Sequence, residues 1–479
     1  MKPENRQFYN DVLNNLQANS LAILAGAGLS KSAGYVDWKG LLRDIADDLG
    51  LSVDIESDLI SLAQYNVNKI GGRSMINQKI IAEFTEDAQT TENHKILARL
   101  PIYTYWTTNY DDLIEKSLKE IKRVPDVKHA VSQLSLSKPR RDAVVYKMHG
   151  DATMPHEAVL VKDDYERYNI DKAGFVTALS GDLVSKLFVF IGFSFTDPNL
   201  DYIMTRVRLQ MSGSDRHHYY FIKRVTEDDY DIKNKADLEY KQKKQAHFIT
   251  DLRRFRLQPV YVDSYSEITE ILCEIETLYK KRTVFIGGSA EEYGIYNRDQ
   301  AQAFIHQLSS AIINKNFRIV NGFGWGVGSA VMNGALEMIH SRPDKYGEDQ
   351  LIVKPFPQFK TGEKELPQLW AEYRYSMLAY AGVAIFLFGN KNRRDGPGII
   401  EADGLIKEFE IAKAQGLFLL PVPATGYVSE ILFNTLNSEG YYDNYPGLKE
   451  HIDAVATEKD PDKIISTVIT IIQQVNEKK

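Results

Sequence analysis

Residues 21–34 read LAILAGAGLSKSAG, an apolar run followed directly by a cluster of glycine, alanine and serine residues. The run LAILA has the length and composition of a buried strand, and the small residues after it are typical of a helix start. A glycine turn in this position either holds a nucleotide pyrophosphate on free N–H groups or only supplies a tight turn. This stretch alone is compatible with both interpretations.

Further strand-length runs follow, and most of them end at a polar or glycine-containing tip. They are IYTYWTTN (102–109), AVVYKMHG (143–150), LFVFIGFSF (187–195), HYYFIKR (218–224) and LQPVYVD (257–263). Helical patterns lie between several of these runs, and strands that alternate with helices predict a parallel, doubly wound sheet. Ligands of such sheets bind at the carboxyl ends of the strands, where the polar tips fall.

A second strand–glycine opening, RTVFIGGSAEEYG (282–294), begins another α/β pattern with five strand-like runs. A chain of 479 residues also exceeds what one hydrophobic core usually supports. The sequence therefore predicts two Rossmann-like, doubly wound parallel-sheet α/β domains, at 1–280 and 281–479. The highly charged stretch 226–257 is predicted to be an exposed helix rather than a binding site.

Composition limits the classes of partner. The net charge of −7 does not favour nucleic-acid binding, and no run approaches the roughly 18 apolar residues of a membrane span. The amino terminus is polar, so we expect a cytoplasmic protein without a membrane partner. Cys273 is the single cysteine, which excludes an internal disulfide and a thiolate zinc cluster, and no metal site is predicted.

Four motifs in the first half, in this order, resemble the nucleotide-binding motifs of the sirtuin superfamily. They are GAGLS (26–30), TTNYD (107–111), HGD (149–151) and GFSFTDPN (192–199). The resemblance implies that NAD binds across the sheet, with Asn109 orienting the reacting ribose and His149 as the acid/base group. It also implies that the dinucleotide is lined by Ala25, Gly26, Ser30, Asp111, Gly192 and Ser194.

Protein-deacylating sirtuins carry a four-cysteine zinc ribbon, which a chain with one cysteine cannot form. Water then becomes the acceptor, and the predicted reaction is NAD+ hydrolysis to nicotinamide and ADP-ribose. NAD+ is thus the substrate, and no cofactor is predicted. An Asn amide can orient water, and a histidine near its usual titration range can take a proton. The alternative interpretation of His149 is a structural histidine that caps a loop.

The second half is similar to the SLOG superfamily through its turn GFGWGVG (322–328), Arg374 and the strand before GNK (389–391). Enzymes of that superfamily carry a PGGxGTxxE segment, whereas this chain has GPGIIEADGLIKEFE, so nucleotide binding is expected without hydrolysis. Arginine suits bidentate phosphate binding and lysine supplies a point charge. The predicted activator-binding residues are Gly287, Gly288, Ser289, Gly324, Gly326, Arg374, Lys391 and Glu408.

Both halves together resemble the NAD-consuming effectors of Thoeris antiphage systems. The resemblance implies activation by a cyclic ADP-ribose isomer that a TIR-domain partner enzyme makes, followed by depletion of cellular NAD. It also implies a homo-oligomer, a tetramer or larger. Two alternatives remain open, an NAD-dependent protein deacylase and a non-catalytic nucleotide-binding regulator. The sequence does not specify which cyclic isomer activates.

Overall fold

The computed structural model describes residues 2–56, 58–85, 88–195, 197–210, 216–229, 232–360, 362–393 and 396–476. The chain divides into two compact units, Met1–Glu276 and Thr277–Lys479. The division lies inside one helix, Ser266–Lys281, which ends two residues before the first strand of the second unit. No helix among the described residues is both long and apolar enough to cross a membrane.

The first unit is built on a seven-stranded sheet whose neighbouring strands are all parallel. Its strands are β1 (Leu21–Ala25), β2 (Thr104–Thr107), β3 (Pro125–Lys128), β4 (Ala143–Lys147), β5 (Leu187–Ile191), β6 (His218–Lys223) and β7 (Leu257–Val262). The order across the sheet is β3-β4-β2-β1-β5-β6-β7. Strand β1 is central and all five of its residues are buried, which explains the unbroken apolar run.

Helices connect these strands. They are α1 (Arg6–Gln17), α2 (Ala27–Lys31), α3 (Trp38–Leu49), α4 (Leu59–Ile70), α5 (Ser74–Phe84), α6 (Glu92–Arg99), α7 (Leu113–Glu120), α8 (Lys162–Asp171), α9 (Ala173–Ser185), α10 (Pro198–Gln210), α11 (Lys235–Leu252) and α12 (Ser266–Lys281). Helix α11 confirms the predicted charged helix, with only three buried residues. The chain runs from β1 to β2 on one side and reaches β5 on the other side of β1. The crevice at the end of β1 is therefore the topological switch point of this sheet.

The second unit contains a five-stranded parallel sheet with the order β10-β9-β8-β11-β14. Its strands are β8 (Thr283–Ser289), β9 (Arg318–Asn321), β10 (Leu351–Val353), β11 (Val383–Phe388) and β14 (Phe418–Pro421), with a small antiparallel pair of β12 (Asn390–Asn392) and β13 (Ile399–Glu401). The two parallel sheets confirm the predicted fold class.

The helices of this unit pack around a core formed by the strands. They are α13 (Arg298–Asn314), α14 (Gly328–Ser341), α15 (Leu366–Leu378), α16 (Asp403–Ala414), α17 (Tyr427–Ser438), α18 (Lys449–Thr457) and α19 (Pro461–Asn476). All six residues of β11 are buried, as expected for an interior parallel strand covered on both faces. The turns that follow β8, β9 and β11 therefore meet at one edge of the sheet.

Candidate functional site

The glycine turn after β1 packs directly against the loop after β5. The N–H groups of Gly26 and Gly28 donate to the carbonyl oxygens of Ile191 and Gly192, each at 2.9 Å. A Cβ atom added to Gly28 would lie 2.8 Å from the Cα of Gly192, and Gly192 has a φ of +66°. The glycines are thus required for close approach of two backbones at the switch point.

Asn109 follows β2, and hydrogen bonds of its backbone and of its side chain hold it beside the glycine turn. Its backbone N–H donates to Thr107 Oγ1 at 2.9 Å, while its side-chain Nδ2 donates to Gly26 O at 3.1 Å and Ser30 Oγ at 2.9 Å. The residue is 9% exposed. The Thr107 hydroxyl donates in turn to the carbonyl of Ala25 at 3.1 Å. The amide therefore has one defined orientation beside the glycine turn.

Asp111 places a carboxylate next to this amide. Its Oδ1 accepts from the N–H of Leu113 at 3.1 Å, and the nearby hydroxyl of Ser30 lowers the pKa of the carboxyl group. Burial raises the pKa of Asp111, and the charge of Lys147 opposes that shift. The second oxygen, Oδ2, is buried without a hydrogen-bond partner within the described part of the chain. A buried acceptor of this kind suits a donor supplied by a ligand, such as a ribose hydroxyl.

His149 follows β4 and is 4% exposed. Its ring packs edge-on against Tyr165 and Tyr168, with centroid distances of 5.7 and 6.2 Å. Its Nε2 lies 3.0 Å from Oδ2 of Asp197, a residue that the sequence analysis did not select. The sequence feature that could have indicated Asp197 is its position in the GFSFTDPN motif, directly before the proline that starts α10.

Lys147 is a second residue that the sequence analysis missed, and its side chain is completely buried at the end of β4. The ammonium donates to the backbone carbonyls of Tyr110 at 3.0 Å and Asp111 at 2.6 Å, and it pairs with the carboxylate of Asp151. Burial lowers its pKa, but the charges of Glu115 and Asp151 outweigh this and leave the pKa raised. One cation thus joins the loop that contains Asn109 to the loop that contains His149.

The loops after β1, β2, β4 and β5 follow four adjacent strands, so they lie at the same edge of the sheet. This edge brings together the predicted residues Ala25, Gly26, Ser30, Asn109, Asp111, His149 and Gly192. Ser194 lies in the same loop as Gly192 and is exposed. The roles assigned to these residues remain predictions.

In the second unit, the GFGWGVG turn packs against the end of β8. A Cβ atom added to Gly324 would lie 2.0 Å from the carbonyl oxygen of Gly288, and one added to Gly326 would lie 2.0 Å from that of Ala290. Gly326 also has a φ of +70°. Gly287, Gly288 and Ser289 lie within strand β8 rather than in a turn, and the GFGWGVG turn packs against that end of the strand.

Glu408 lies next to the end of β8, since a Cβ atom added to Gly287 would lie 3.1 Å from its Oε2, and Arg374 lies beside Glu408. Arg374 Nε is 3.8 Å from Glu408 Oε1, and its guanidinium lies over the ring of Phe356 at 4.9 Å. Burial raises the pKa of Glu408 to about 7, while Arg374 opposes the shift. Arg374 Nε is buried without a hydrogen-bond partner among the described residues. A planar cation with an unused N–H fits an anionic ligand group.

Lys391 lies on β12 and pairs with Asp403, the first residue of α16, which also carries Glu408. The Ser289 hydroxyl donates to the carbonyl of Asn390 at 3.2 Å, which joins the end of β8 to β12. One edge of the second sheet therefore brings together the predicted residues Gly287, Gly288, Ser289, Gly324, Gly326, Arg374, Lys391 and Glu408. Their role in binding an activator remains a prediction.

Both halves match described families. Residues 103–249 match the family SIR2_2, SIR2-like domain, and residues 267–475 match STALD, the Sir2- and TIR-associating SLOG family. Together with the two parallel sheets, these matches define the class of protein as a sirtuin-like domain followed by a SLOG domain.

Similar proteins are found along the whole chain. NAD(+) hydrolase ThsA of Bacillus cereus (strain MSX-D12) is 48% identical over 479 residues, which cover 99% of each chain. NAD(+) hydrolase ThsA of Cytobacillus dafuensis is 44% identical over 98% of this chain and 97% of its own. Defense-associated sirtuin 2 of Bacillus subtilis is 27% identical over 53% of this chain and 25% of its own. The chain belongs to the ThsA family of enzymes.

Proposed function

We propose that this chain hydrolyses the nicotinamide–ribose bond of NAD+ and releases nicotinamide and ADP-ribose. The observation that supports this most directly is the Asn109 amide, held by Gly26 and Ser30 at the switch point beside the Asp111 carboxylate. The relatives of highest identity reported above are named NAD(+) hydrolases. NAD+ is the substrate in this proposal, and no separate cofactor is required.

The chemistry follows from the leaving group. Nicotinamide departs as a neutral base, so the barrier lies in forming an oxocarbenium-like ribose that fixed dipoles can stabilise. The bond between C1′ and the pyridinium nitrogen breaks with its electron pair on nicotinamide, and the oxygen of water bonds to C1′. The Asn109 amide orients this water, and His149 accepts the proton that the water loses.

In this proposal, the second unit controls the rate of NAD+ hydrolysis. A cyclic ADP-ribose isomer, made by a TIR-domain partner enzyme, binds where the GFGWGVG turn packs against the end of β8, with its phosphates on Arg374 and Lys391. Binding releases NAD+ hydrolysis, and depletion of cytoplasmic NAD+ stops phage propagation. The description of the STALD family as Sir2- and TIR-associating supports a TIR partner, and the name of the Bacillus subtilis relative supports a role in defence. A homotetramer or larger assembly is part of the same proposal.

One experiment tests both parts. Purified full-length chain is mixed with NAD+, with and without each candidate cyclic ADP-ribose isomer, and nicotinamide release is measured by chromatography. We expect Asn109→Ala and His149→Ala to reduce the rate by roughly 100–10,000-fold. Arg374→Ala and Lys391→Ala should lose activation by the isomer while the chain remains folded.

Lys407→Ala is the matched control for Lys391→Ala, because Lys407 also contacts Asp403 but lies exposed on α16. It should retain activation.

Parental rates in both Asn109→Ala and His149→Ala would rule out the proposed site. Consumption of NAD+ only when an acetylated peptide is added would favour the deacylase instead, and nicotinamide release in neither assay would favour a nucleotide-binding regulator.

A further inference from the structure

The loop after β5 and the start of α10 present a carboxylate to the ring of His149. We propose that Asp197 is a positioning residue that holds the His149 imidazole in one orientation and stabilises its protonated form. This inference rests on the proposed function of His149 as the proton acceptor in NAD+ hydrolysis.

The Asp197 carboxylate is itself held in place by the backbone. Its Oδ1 accepts from the N–H groups of Asn199 at 2.8 Å and Leu200 at 3.1 Å, which caps the amino end of α10. The other oxygen, Oδ2, faces His149 Nε2 at 3.0 Å. When His149 is protonated, this contact is an ion pair. Because the backbone anchors Oδ1 of Asp197, its Oδ2 can hold the ring of His149 in place.

The charge state of Asp197 follows from its surroundings. Burial raises the pKa of this carboxyl group, but the charge of His149 and the two N–H groups outweigh burial and leave the pKa below its usual value. Two other titratable groups lie against the ring, the phenols of Tyr165 and Tyr168, and burial raises both of their pKa values well above the usual range. Of the three groups, Asp197 alone is charged at neutral pH.

This arrangement has a chemical consequence for the two ring nitrogens. A carboxylate next to Nε2 keeps a proton on that nitrogen, which leaves Nδ1 as the basic nitrogen of the neutral ring. When Nδ1 accepts the proton of water, the imidazolium is stabilised by the opposite charge of Asp197 in a buried setting. Asp197 does not contact substrate in this role and acts only through His149.

The test uses Asp197→Asn in the full-length chain. Asparagine caps helices about as well as aspartate and has the same shape, so this variant removes the charge and keeps α10. The ring titration of His149 is followed by NMR on chain labelled at histidine, with the signal assigned by His149→Gln and no NAD+ present. We expect the midpoint of this titration to move to lower pH by roughly 1–2 units in Asp197→Asn.

The acid limb of the pH–rate profile for nicotinamide release should move in the same direction, and the rate at neutral pH should fall by at least roughly tenfold. Asp58→Asn is the matched control, because Asp58 caps α4 through the N–H of Ser61 at 3.0 Å. It should change neither measurement.

An unchanged His149 titration in Asp197→Asn would reduce Asp197 to a helix cap and overturn the inference. If the parental chain does not hydrolyse NAD+, the proposed function fails while the NMR titration still decides the Asp197–His149 pair.

Discussion

A carboxyl group buried beside a single arginine gives a testable dependence of stability on pH. Burial raises the pKa of Glu408 from 4.5 to about 7, and Arg374 opposes the shift. Because the folded state prefers the protonated group, the contribution to stability is complete below about pH 4.5 and is lost as the pH rises to about 7.

Glu408→Gln should remove this loss. At pH 8 the variant should exceed the parental chain in free energy of unfolding by up to roughly 3 kcal/mol, and at pH 4.5 the two should be equal. Thermal unfolding at both pH values measures the difference. Glu410→Gln, on the exposed face of the same helix, is the control and should match the parental chain. If the stability of Glu408→Gln changed with pH as that of the parental chain does, Glu408 would not be the source of the pH dependence.

At the residue scale, Asn109 and His149 were selected because they stand in motifs that carry the resemblance, and their roles remain predictions. Lys147 and Asp197 were not selected, although Lys147 lies in the run AVVYKMHG (143–150) and Asp197 in the motif GFSFTDPN (192–199). Their importance depends on the partner that folding brings to them. Nothing in the run AVVYKMHG indicates that the lysine joins two loops, and nothing in GFSFTDPN indicates that the aspartate meets a histidine that follows another strand.

At the scale of elements, the contact between α2 and the loop after β5 gives a prediction about packing. A Cβ atom at Gly28 would lie 2.8 Å from the Cα of Gly192, and backbone atoms cannot move aside as a side chain can. Gly28→Ala should destabilise the chain by roughly 1–3 kcal/mol, as overpacking usually does.

Gly181→Ala makes the same change within helix α9, where nothing lies within 4 Å of the new Cβ atom. It should stabilise the chain by about 0.5–1 kcal/mol, because alanine restricts the unfolded chain more than glycine. Calorimetric unfolding of the two variants compares them directly. If Gly28→Ala and Gly181→Ala changed the stability equally, the backbones at Gly28 and Gly192 could separate without loss of stability.

The elements that the sequence revealed are those with continuous apolar runs, such as β1, β5 and β11. Strand β3 (Pro125–Lys128) was missed because it begins with proline and contains two charged residues. It is an edge strand, where proline is tolerated, and its buried Asp126 and Lys128 pair at 2.8 Å. The short pair β12 and β13 was missed as well, since three residues per strand give no periodicity.

At the scale of the whole molecule, the sequence predicted two sheets and a candidate site at the carboxyl ends of each. The resemblance implies that a ligand of the second unit activates the first, but the size of such a coupling is a free-energy difference between states and leaves no pattern in the sequence. If a cyclic ADP-ribose isomer raises the affinity for NAD+ by some factor, NAD+ must raise the affinity for the isomer by the same factor.

The His149→Ala chain, which should bind NAD+ without consuming it, makes this reciprocity measurable by titration calorimetry. The dissociation constant of NAD+ is measured with and without saturating isomer, and that of the isomer with and without saturating NAD+. We expect equal ratios of roughly 5–150-fold, and a nearly complete switch would require a ratio approaching about 10,000-fold. Adding Arg374→Ala to His149→Ala should return the NAD+ ratio to one, because the isomer then loses one of the two cations that hold its phosphates. An NAD+ affinity that does not respond to the isomer in His149→Ala would exclude control through substrate binding and leave only an effect on the rate of bond cleavage.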